Sequence, residues 1–580
     1  MKALKLRMVL PIAALLIAAE MSPARAQAPL EPAQMSAQTL FYVIWHGVPG
    51  AETRKANSLL ALWDDADFAP VRSAMAAGML NSSGEKSTQE KLTPEQAQEL
   101  AGLLENSFTV GYVSEPKGRA VSNSAASADA KLPAWNGMFF VYDRTGKEEL
   151  LSKTVLRMRS GDKEIPKLSE VTVAGVKALK IEKKSGTTYW AETGKYMATA
   201  GEESVFEEVL NRLAGKGASP SLADSEAYRE AKPLLSGGLL EFFLRVPQIK
   251  DMAGDSSDSP PELKAMWSNL KLDSLHVFAG HISLEGARTR LQGGILGDTA
   301  EGSLFDIWSA GQSQPGSLAY VTPDTVYYNE SQINLLGIYN TLKRVLAQPG
   351  SNTAPLAKTM ENAAQTRIGM PLPDALALTT GEFGTLQSNP ALDPDKKVFF
   401  AGIQNKPETL KLIRTILSDR LTSERNEGNV TYLKISLKGN QGATGVAQWK
   451  FYHLAVTPDL LLGASKSETL RATLSQARPS GADSLPVNLQ AARAQFPEKL
   501  IGFSYYDLQK VDWPALQQNW RTQRAKAAAD SKNADAMQKM KLLNDWLNNL
   551  NPAVFPRHLH SMTGGSWKDA KGVHFDEWLD

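Results

Sequence analysis

The chain has 580 residues, 42% of them hydrophobic, with 63 Lys and Arg against 62 Asp and Glu and a formal net charge of +1. A chain so close to neutral has no overall field that would draw it to nucleic acid or to an anionic membrane, so we expect no nucleic-acid partner. Its length exceeds what one hydrophobic core normally supports and predicts at least two folded domains.

The first residues have the three parts of a secretory signal peptide. Lys2, Lys5 and Arg7 precede an apolar stretch from Met8 to Ala19. A small-x-small triplet, Ala-Arg-Ala, follows at residues 24–26. The apolar stretch is too short to span a bilayer comfortably, and a buried first helix would not account for the basic start and the triplet together. We therefore predict a cleavable signal peptide over residues 1–26.

No later stretch has the length of apolar sequence that a membrane helix needs, so we expect a soluble mature chain without a transmembrane segment. The sequence contains no cysteine. An exported chain without cysteine forms no disulfide and has no acylated cysteine to tether it to a membrane. These features together predict a periplasmic or secreted protein.

The segment at residues 36–52 reads SAQTLFYVIWHGVPGAE and predicts a polar turn followed by a buried strand. His46 lies at the end of that strand beside a glycine, as many catalytic histidines do. The turn and strand recur as TPDTVYYN at residues 322–329, where residues 329–332 (NESQ) correspond to residues 43–46 (VIWH). Because the strand start recurs and the histidine does not, we expect His46 to make a contact peculiar to the first half rather than to catalyse a reaction.

Three further pairs of segments match in the same order in both halves. Each begins with a predicted strand, and the first two continue through a polar turn into an amphipathic helix. The pairs are residues 138–156 with 397–416, 194–213 with 458–476, and 239–252 with 500–513. Ordered matches at nearly constant spacing predict an internal duplication, with copies at residues 27–300 and 317–580 and a linker at residues 301–316.

Between these segments the sequence predicts further strands, a helix and a long loop. A capping box, Thr-Pro-Glu-Gln at residues 93–96, predicts a helix start, and the Ser- and Ala-rich residues 111–135 predict an exposed loop. Residues 171–182 and 187–200 predict antiparallel strands that follow one another along the chain. We therefore predict an α+β fold, made of two tandem copies of an antiparallel-sheet module with helices packed on the sheet.

Histidines are the first candidates for chemistry. His558 and His560 alternate along a predicted strand, which would place both imidazoles on one face, but no third ligand accompanies them. His276 and His281 are five residues apart and would point to opposite faces of a strand. The sequence therefore predicts no metal site.

Other motifs are equally incomplete. Ser-x-x-Lys occurs at residues 83–86 and 160–163 in polar turns, without the companion motifs of serine enzymes. Carboxylate pairs at residues 64–65 and 202–203 suit turns and first helical turns, where negative charge favours the helix dipole. We predict no catalytic residue, no cofactor-binding residue and no cofactor.

Exposed tryptophans can form binding surfaces for sugars or lipids. Trp63, Trp267, Trp520 and Trp546 have apolar neighbours at helical spacing, which predicts core positions. Trp45, beside His46, fits either a core position or a binding surface.

The two strand starts, SAQTLFYV at residues 36–43 and TPDTVYYN at residues 322–329, resemble the Pro-Ala-Asp-Thr start of exported bacterial proteins of the family called domain of unknown function 3352. The later unit DLLLGASKSETLRATL at residues 459–474 is also similar to that family. The resemblance covers most of both halves in organisation and implies neither a reaction nor catalytic residues.

The sequence favours a non-enzymatic exported protein that binds an unknown envelope protein or a small or lipidic ligand. Two alternatives stay open. One is a periplasmic hydrolase whose site is assembled from residues distant in sequence, and the other is a structural or chaperone-like envelope protein.

Overall fold

The computed structural model describes residues 28–72, 102–114, 137–152, 167–183, 186–217, 220–235, 237–248, 270–300, 302–311, 314–346, 354–436, 453–478, 485–530 and 550–580. The chain divides into two compact units. The first unit takes in the described residues up to 248 together with residues 276–296 and 550–558. The second takes in residues 270–275, residues 297–530 and the last residues from 559 onward.

In the first unit, hydrogen-bonded strands follow the order β10-β9-β8-β1-β2-β3-β7-β6-β5-β4. These strands are β1 (Thr39–Trp45), β2 (Phe108–Val113), β3 (Met138–Asp143), β4 (Lys167–Val173), β5 (Val176–Lys183), β6 (Gly186–Thr193), β7 (Tyr196–Ala200), β8 (Leu240–Arg245), β9 (Leu275–Glu285) and β10 (Arg288–Gly297). Its helices include α1 (Ala51–Ala56), α2 (Ser58–Asp64), α3 (Glu203–Leu213), α4 (Glu226–Ala231) and, from the C-terminal part of the chain, α12 (Val554–His558).

In the second unit, the strands follow the order β20-β19-β18-β11-β12-β13-β17-β16-β15-β14. These strands are β11 (Tyr327–Gln332), β12 (Thr379–Gln387), β13 (Val398–Ile403), β14 (Leu421–Glu427), β15 (Val430–Ile435), β16 (His453–Val456), β17 (Leu460–Ala464), β18 (Gly502–Asp507), β19 (Ser561–Asp569) and β20 (Gly572–Leu579). Its helices include α5 (Leu335–Leu346), α6 (Ala354–Ile368), α7 (Leu372–Leu376), α8 (Lys406–Ile416), α9 (Ser467–Ser475), α10 (Val487–Arg493) and α11 (Trp513–Asp530).

The predicted arrangement as two tandem sheet modules is wrong. The twenty strands belong to one continuous antiparallel sheet. A sequence repeat indicates which strands and helices recur. It does not determine whether the edge strand of one copy stays unpaired or pairs with another strand, because every edge strand has free N–H and C=O groups that can do either. The combination of an antiparallel sheet with helices is the α+β character that the sequence predicted.

Local chemistry explains most of these elements. The hairpin between β4 and β5 turns at Ala174 and Gly175, both with positive φ, as a two-residue turn requires. The N-terminus of α8 is capped by Asn405, whose side chain accepts a hydrogen bond from the Glu408 N–H at 3.1 Å. The strands predicted at residues 171–182 and 187–200 are present as an antiparallel series.

Each unit has its own apolar core between sheet and helices. In the first unit, Phe206 and Leu210 of α3 pack with Tyr42 of β1 and Phe243 of β8. In the second unit, Leu470 of α9 and Tyr328 of β11 belong to the corresponding cluster. The apolar stripes predicted at residues 194–213 and 458–476 therefore do face a core, because each helix buries one face against the sheet.

Some predicted boundaries differ from the structure. Residues 111–113, expected to begin a loop, belong to β2, while the capping box at residues 93–96 and the rest of the loop from residue 115 lie outside the described residues. No helix within the described ranges is long and apolar enough to cross a membrane.

Candidate functional site

A half-open cleft in the second unit is the candidate functional site. Its volume is about 340 Å³. Three segments of the chain form it: the turn before β11, the start of α10, and the end of β18 with the residues that follow. Its lining residues are Val321, Thr322, Pro323, Thr325, Leu485, Pro486, Val487, Asn488, Leu489, Tyr505 and Lys510.

The turn before β11 forms one wall and is the Thr-Pro-Asp-Thr stretch that the sequence singled out. The Thr322 N–H donates to Thr325 Oγ1 at 3.0 Å, and the Thr325 N–H donates back to the Thr322 carbonyl at 3.0 Å. These reciprocal bonds close the turn, and the fixed φ of Pro323 stiffens it. The wall is therefore rigid before any ligand arrives.

The start of α10 forms the apolar wall. Pro486 is the N-cap residue, and Leu485 and Leu489 are buried beneath it. Val487, at the first helical position, is 78% exposed and is the most exposed large hydrophobic side chain in the part of the chain that the structure describes. Because a ligand in the cleft would cover this side chain, the wall offers apolar area that water now occupies.

The end of β18 supplies the polar groups. Lys510 Nζ lies 2.6 Å from Asp507 Oδ2 and donates to the Pro323 carbonyl at 2.7 Å. Burial, with the nearby charge of Asp507, raises the pKa of Tyr505 to about 12, so its phenol is neutral at physiological pH. The cleft therefore has one cation, already compensated, and a neutral hydroxyl.

Behind the cleft, α10 carries a buried ion pair. Arg493 Nη1 donates to Glu330 Oε1 at 2.8 Å, and the side chain of Glu330 has no solvent exposure. The Tyr328 hydroxyl donates to the other oxygen of Glu330 and lies 2.7 Å from Ser317 Oγ. Burial raises the pKa of Glu330, while Arg493 opposes that shift. The network holds α10 against β11.

His46 lies elsewhere, in the first unit. It follows β1, and its Nε2 is 3.6 Å from Glu241 Oε1, with both side chains buried. Glu241 is paired across the β-ladder with His281, whose Nδ1 lies 2.9 Å from the Leu234 carbonyl. Trp45 is also buried and donates from Nε1 to the Leu104 carbonyl at 2.7 Å, so it belongs to the core rather than to a binding surface.

His558 and His560 do not form the strand pair that the sequence suggested. His558 ends helix α12 in the first unit, whereas His560 precedes β19 in the second. His558 Nε2 lies 2.9 Å from Asp65 Oδ2. The chain turns at Asn551 and Pro552 and continues into α12, so His558 is helical where a strand was predicted.

The other residues that the sequence singled out make contacts within the fold. Asp64, at the end of α2, accepts from Arg54 Nε at 2.8 Å. Glu203, in the first turn of α3, accepts from the Tyr189 hydroxyl at 3.0 Å. His276 is paired with Glu230 at 3.3 Å. Trp63 is buried in the core as predicted.

Several predicted features lie outside the described residues. They are the signal peptide at residues 1–26, the Ser-x-x-Lys motifs at 83–86 and 160–163, and the two tryptophans Trp267 and Trp546. Within the described ranges, no group of three or more His, Cys, Asp or Glu side chains is arranged to hold a metal ion.

The cleft itself was not predicted from the sequence. Val487, Tyr505 and Lys510 belong to no recognisable motif, and a neutral binding cleft needs none. The Thr-Pro-Asp-Thr turn is the one part of the cleft that the sequence singled out. The sequence predicted it as the start of a strand, and in the structure it also forms a wall of the cleft.

No protein-family model, curated protein or solved structure matches this chain. The resemblance to domain of unknown function 3352 therefore stays a prediction.

Proposed function

We propose that the chain is an exported, non-enzymatic binding protein of the bacterial cell envelope, and that its second unit takes up a small, mostly apolar ligand in the cleft. The single observation that carries this proposal is the cleft, with apolar residues along α10 and a few polar groups opposite them. Its volume of about 340 Å³ falls at the lower end of the range of ligand sites, roughly 300–1,000 Å³.

The charges of the cleft favour an uncharged ligand. The Lys510 ammonium is neutralised by Asp507, and Tyr505 is a neutral phenol. A second anion brought to Lys510 would have to compete with Asp507, at 2.6 Å, and would face its negative charge. A lipidic molecule with a hydroxyl or amide head would instead bury apolar area on Val487 and hydrogen-bond to the polar wall.

The same residues argue against hydrolysis at this place. None of the described lining residues is a histidine, a serine or a carboxylate, and Thr325 already accepts the Thr322 N–H. A hydrolytic site needs a nucleophile or an activated water beside a base. Binding therefore accounts for the cleft better than catalysis does.

Export rests on the basic, apolar and small-residue parts of residues 1–26. We infer that the mature chain begins at Gln27 and lies in the periplasm or the medium. Mass spectrometry of the protein from fractionated cells gives the N-terminus directly. An intact N-terminus at Met1 in the cytoplasmic fraction would contradict export.

We also infer an internal duplication of the chain, distinct from the architecture of the sheet. In support, β1 to β10 are connected in the same order as β11 to β20, and Phe41 faces Leu244 as Tyr327 faces Tyr506. Homologues that contain a single half would test this inference.

The binding proposal is tested with N-phenyl-1-naphthylamine, an uncharged apolar fluorescent probe, titrated into the mature protein. Val487→Asp places a charge on the apolar wall and should weaken probe binding by about 10-fold or more. An acidic residue at the first position of a helix is compatible with folding because it favours the helix dipole. Leu168→Asp is the matched control, since Leu168 is an exposed apolar residue of β4 in the first unit.

Equal probe affinity in the wild-type protein and in Val487→Asp would overturn the cleft as the binding place. Mass spectrometry of lipids carried by protein isolated from envelope extract then identifies the ligand class. Turnover of an ester substrate that is lost with Val487→Asp would instead favour the hydrolase.

A further inference from the structure

The turn that forms one wall of the cleft recurs in the first unit with the same backbone hydrogen bond. In the second unit the Thr325 N–H donates to the Thr322 carbonyl at 3.0 Å. In the first unit the Thr39 N–H donates to the Ser36 carbonyl, also at 3.0 Å. A short helical segment comes directly before the turn in both units. The first unit therefore has a matching turn, at residues 35–39.

In the first unit, a segment of the chain itself is bound beside this turn. The Leu222 N–H donates to the Met35 carbonyl at 2.9 Å, and the Ala37 N–H donates to the Pro220 carbonyl at 3.2 Å. The residues between these two bonds form an antiparallel β-bridge. The segment then leads into α4, while the cleft of the second unit lies between its own turn and the start of α10. The place of the cleft is thus occupied by peptide in the first unit.

The bound segment buries an aliphatic side chain. Leu222 has no solvent exposure and belongs to the same core cluster as Met35. In the second unit, the cleft of about 340 Å³ exposes 78% of Val487 beside the matching turn. An aliphatic side chain placed there would cover Val487 and remove apolar area from water.

The backbone of the cleft offers one of the two hydrogen bonds that the first unit makes. Val321 corresponds to Met35 and lines the cleft, and no residue in the described part of the chain donates a hydrogen bond to its carbonyl. Pro323 stands where the first unit has Ala37, and a proline has no N–H to donate. An incoming peptide can therefore donate to the turn but cannot accept from Pro323.

The charge of the bound segment also matches the cleft. Residues 220–223 of the first unit, Pro-Ser-Leu-Ala, carry no charge. In the cleft, the Lys510 ammonium is compensated by Asp507 at 2.6 Å. A segment without charged side chains keeps that pair intact, whereas a charged one would compete with it.

We propose that the ligand of the cleft is a short, uncharged peptide segment in an extended conformation, with an aliphatic side chain. This inference rests on the proposed function of the cleft and specifies the class of its ligand. The peptide donates an N–H to the Val321 carbonyl and lays its aliphatic side chain on Val487, as Leu222 does beside Met35 in the first unit. Main-chain hydrogen bonds give affinity in this mode of binding, and the side-chain contact gives specificity.

The test uses the capped peptide acetyl-Pro-Ser-Leu-Ala-amide, which reproduces residues 220–223 without terminal charges. Isothermal titration calorimetry with the mature protein should detect binding, and the peptide should displace N-phenyl-1-naphthylamine. Methylation of the leucine nitrogen removes the donor and should weaken binding about 5-fold. Glycine in place of leucine removes the aliphatic side chain and should weaken binding about 10-fold or more.

Two variants of the protein separate the hydrogen bond from the apolar contact. Pro323→Ala supplies the N–H that Ala37 has in the matching turn, so it should strengthen peptide binding about 5-fold. It should leave the affinity for N-phenyl-1-naphthylamine unchanged, because that probe has no carbonyl to accept the bond. The matched control is Pro394→Ala, since Pro394 begins a short helical turn of the second unit and does not line the cleft. Val487→Asp should weaken peptide binding about 10-fold or more.

Equal affinities for the peptide and its N-methylated form would overturn the proposal, because the hydrogen bond would then be absent. Unchanged peptide binding in Val487→Asp, or no gain in Pro323→Ala, would overturn it as well. If the probe binds at the cleft and the peptide does not displace it, the peptide proposal fails and the proposed function stands. If neither the probe nor the peptide binds, the proposed function fails too.

Discussion

His558 Nε2 lies 2.9 Å from Asp65 Oδ2, although 493 positions of sequence separate the two residues. Arg557 reinforces this contact, since its Nη2 lies 2.6 Å from Asp67 Oδ2. The Phe555 ring packs edge-on against the Phe68 ring, with centroids 6.2 Å apart. A short helix from the C-terminal part of the chain, α12, is therefore held within the first unit by charge and by one aromatic contact.

Replacing His558 should loosen α12. His558→Ala leaves Asp65 without its imidazole partner and is expected to lower the free energy of unfolding by about 1–2 kcal/mol. Hydrogen exchange over residues 550–558 should become faster. His276→Ala is the control, because His276 forms a more exposed ion pair with Glu230, which should contribute under about 0.5 kcal/mol. Unchanged exchange in His558→Ala would show that Arg557 and Phe555 hold the helix without His558.

The same contact predicts a pH dependence on the acid side. The hydrogen bond from His558, followed by the Asp67 N–H and Arg557, lowers the pKa of Asp65. A carboxylate whose pKa is lower in the folded state contributes stability above its ordinary value, near 3.9, and loses it as the pH falls through the lowered value. Urea unfolding from pH 6 to pH 3 should therefore show the stability difference between the wild-type protein and Asp65→Asn shrinking as the pH falls.

The buried pair behind the cleft should be far more sensitive than any surface pair. Arg493→Met leaves the fully buried Glu330 without its cation and should destabilise the protein by about 3–5 kcal/mol at pH 7. Since burial raises the pKa of Glu330, this loss should diminish as the pH falls and the carboxyl group is protonated. Denaturant unfolding at pH 7 and pH 5 measures both effects.

Two further variants check that interpretation. Arg493→Met combined with Glu330→Gln should recover much of the lost stability, because the uncompensated charge is gone. Arg414→Met breaks a more exposed pair with Glu424, at 2.7 Å, and should change the free energy of unfolding by less than about 1 kcal/mol. Similar losses in Arg414→Met and Arg493→Met would contradict the role assigned to burial.

Periodicity in the sequence was enough to predict the local elements. The alternation at residues 187–200 corresponds to β6 and β7, and the apolar spacing after residue 203 corresponds to α3. Both patterns arise because a strand repeats every two residues and a helix every 3.6, whichever partner they later pack against. Element type in such segments is a local property and can be predicted from neighbouring residues.

Contacts between distant segments were not predictable in this way. Nothing in Asp65 or His558 indicates the other, and the cleft joins Thr325, Val487 and Lys510 from three separate parts of the chain. The continuity of the sheet was missed for the same reason, because it depends on which edges pair and not on the pattern within any strand. These features need the fold, since no short stretch of sequence contains them.

The position of His46 predicts a structural role that can be separated from function. Its Nε2 lies 3.6 Å from Glu241 Oε1, and only 6% and 8% of the two side chains are exposed. Burial is the main cause that raises the pKa of Tyr42 and of Tyr228, and the charge of Glu241 raises both further. His46→Gln introduces the residue found at the matched position 332 and removes the imidazole beside the buried carboxylate of Glu241. It should lower the free energy of unfolding by about 1–3 kcal/mol, because a buried polar group loses its neighbour. Binding of N-phenyl-1-naphthylamine at the cleft should be unchanged, and Glu241→Gln added to His46→Gln should restore part of the stability. A protein that keeps its stability but loses an activity or the probe would show that His46 is functional after all.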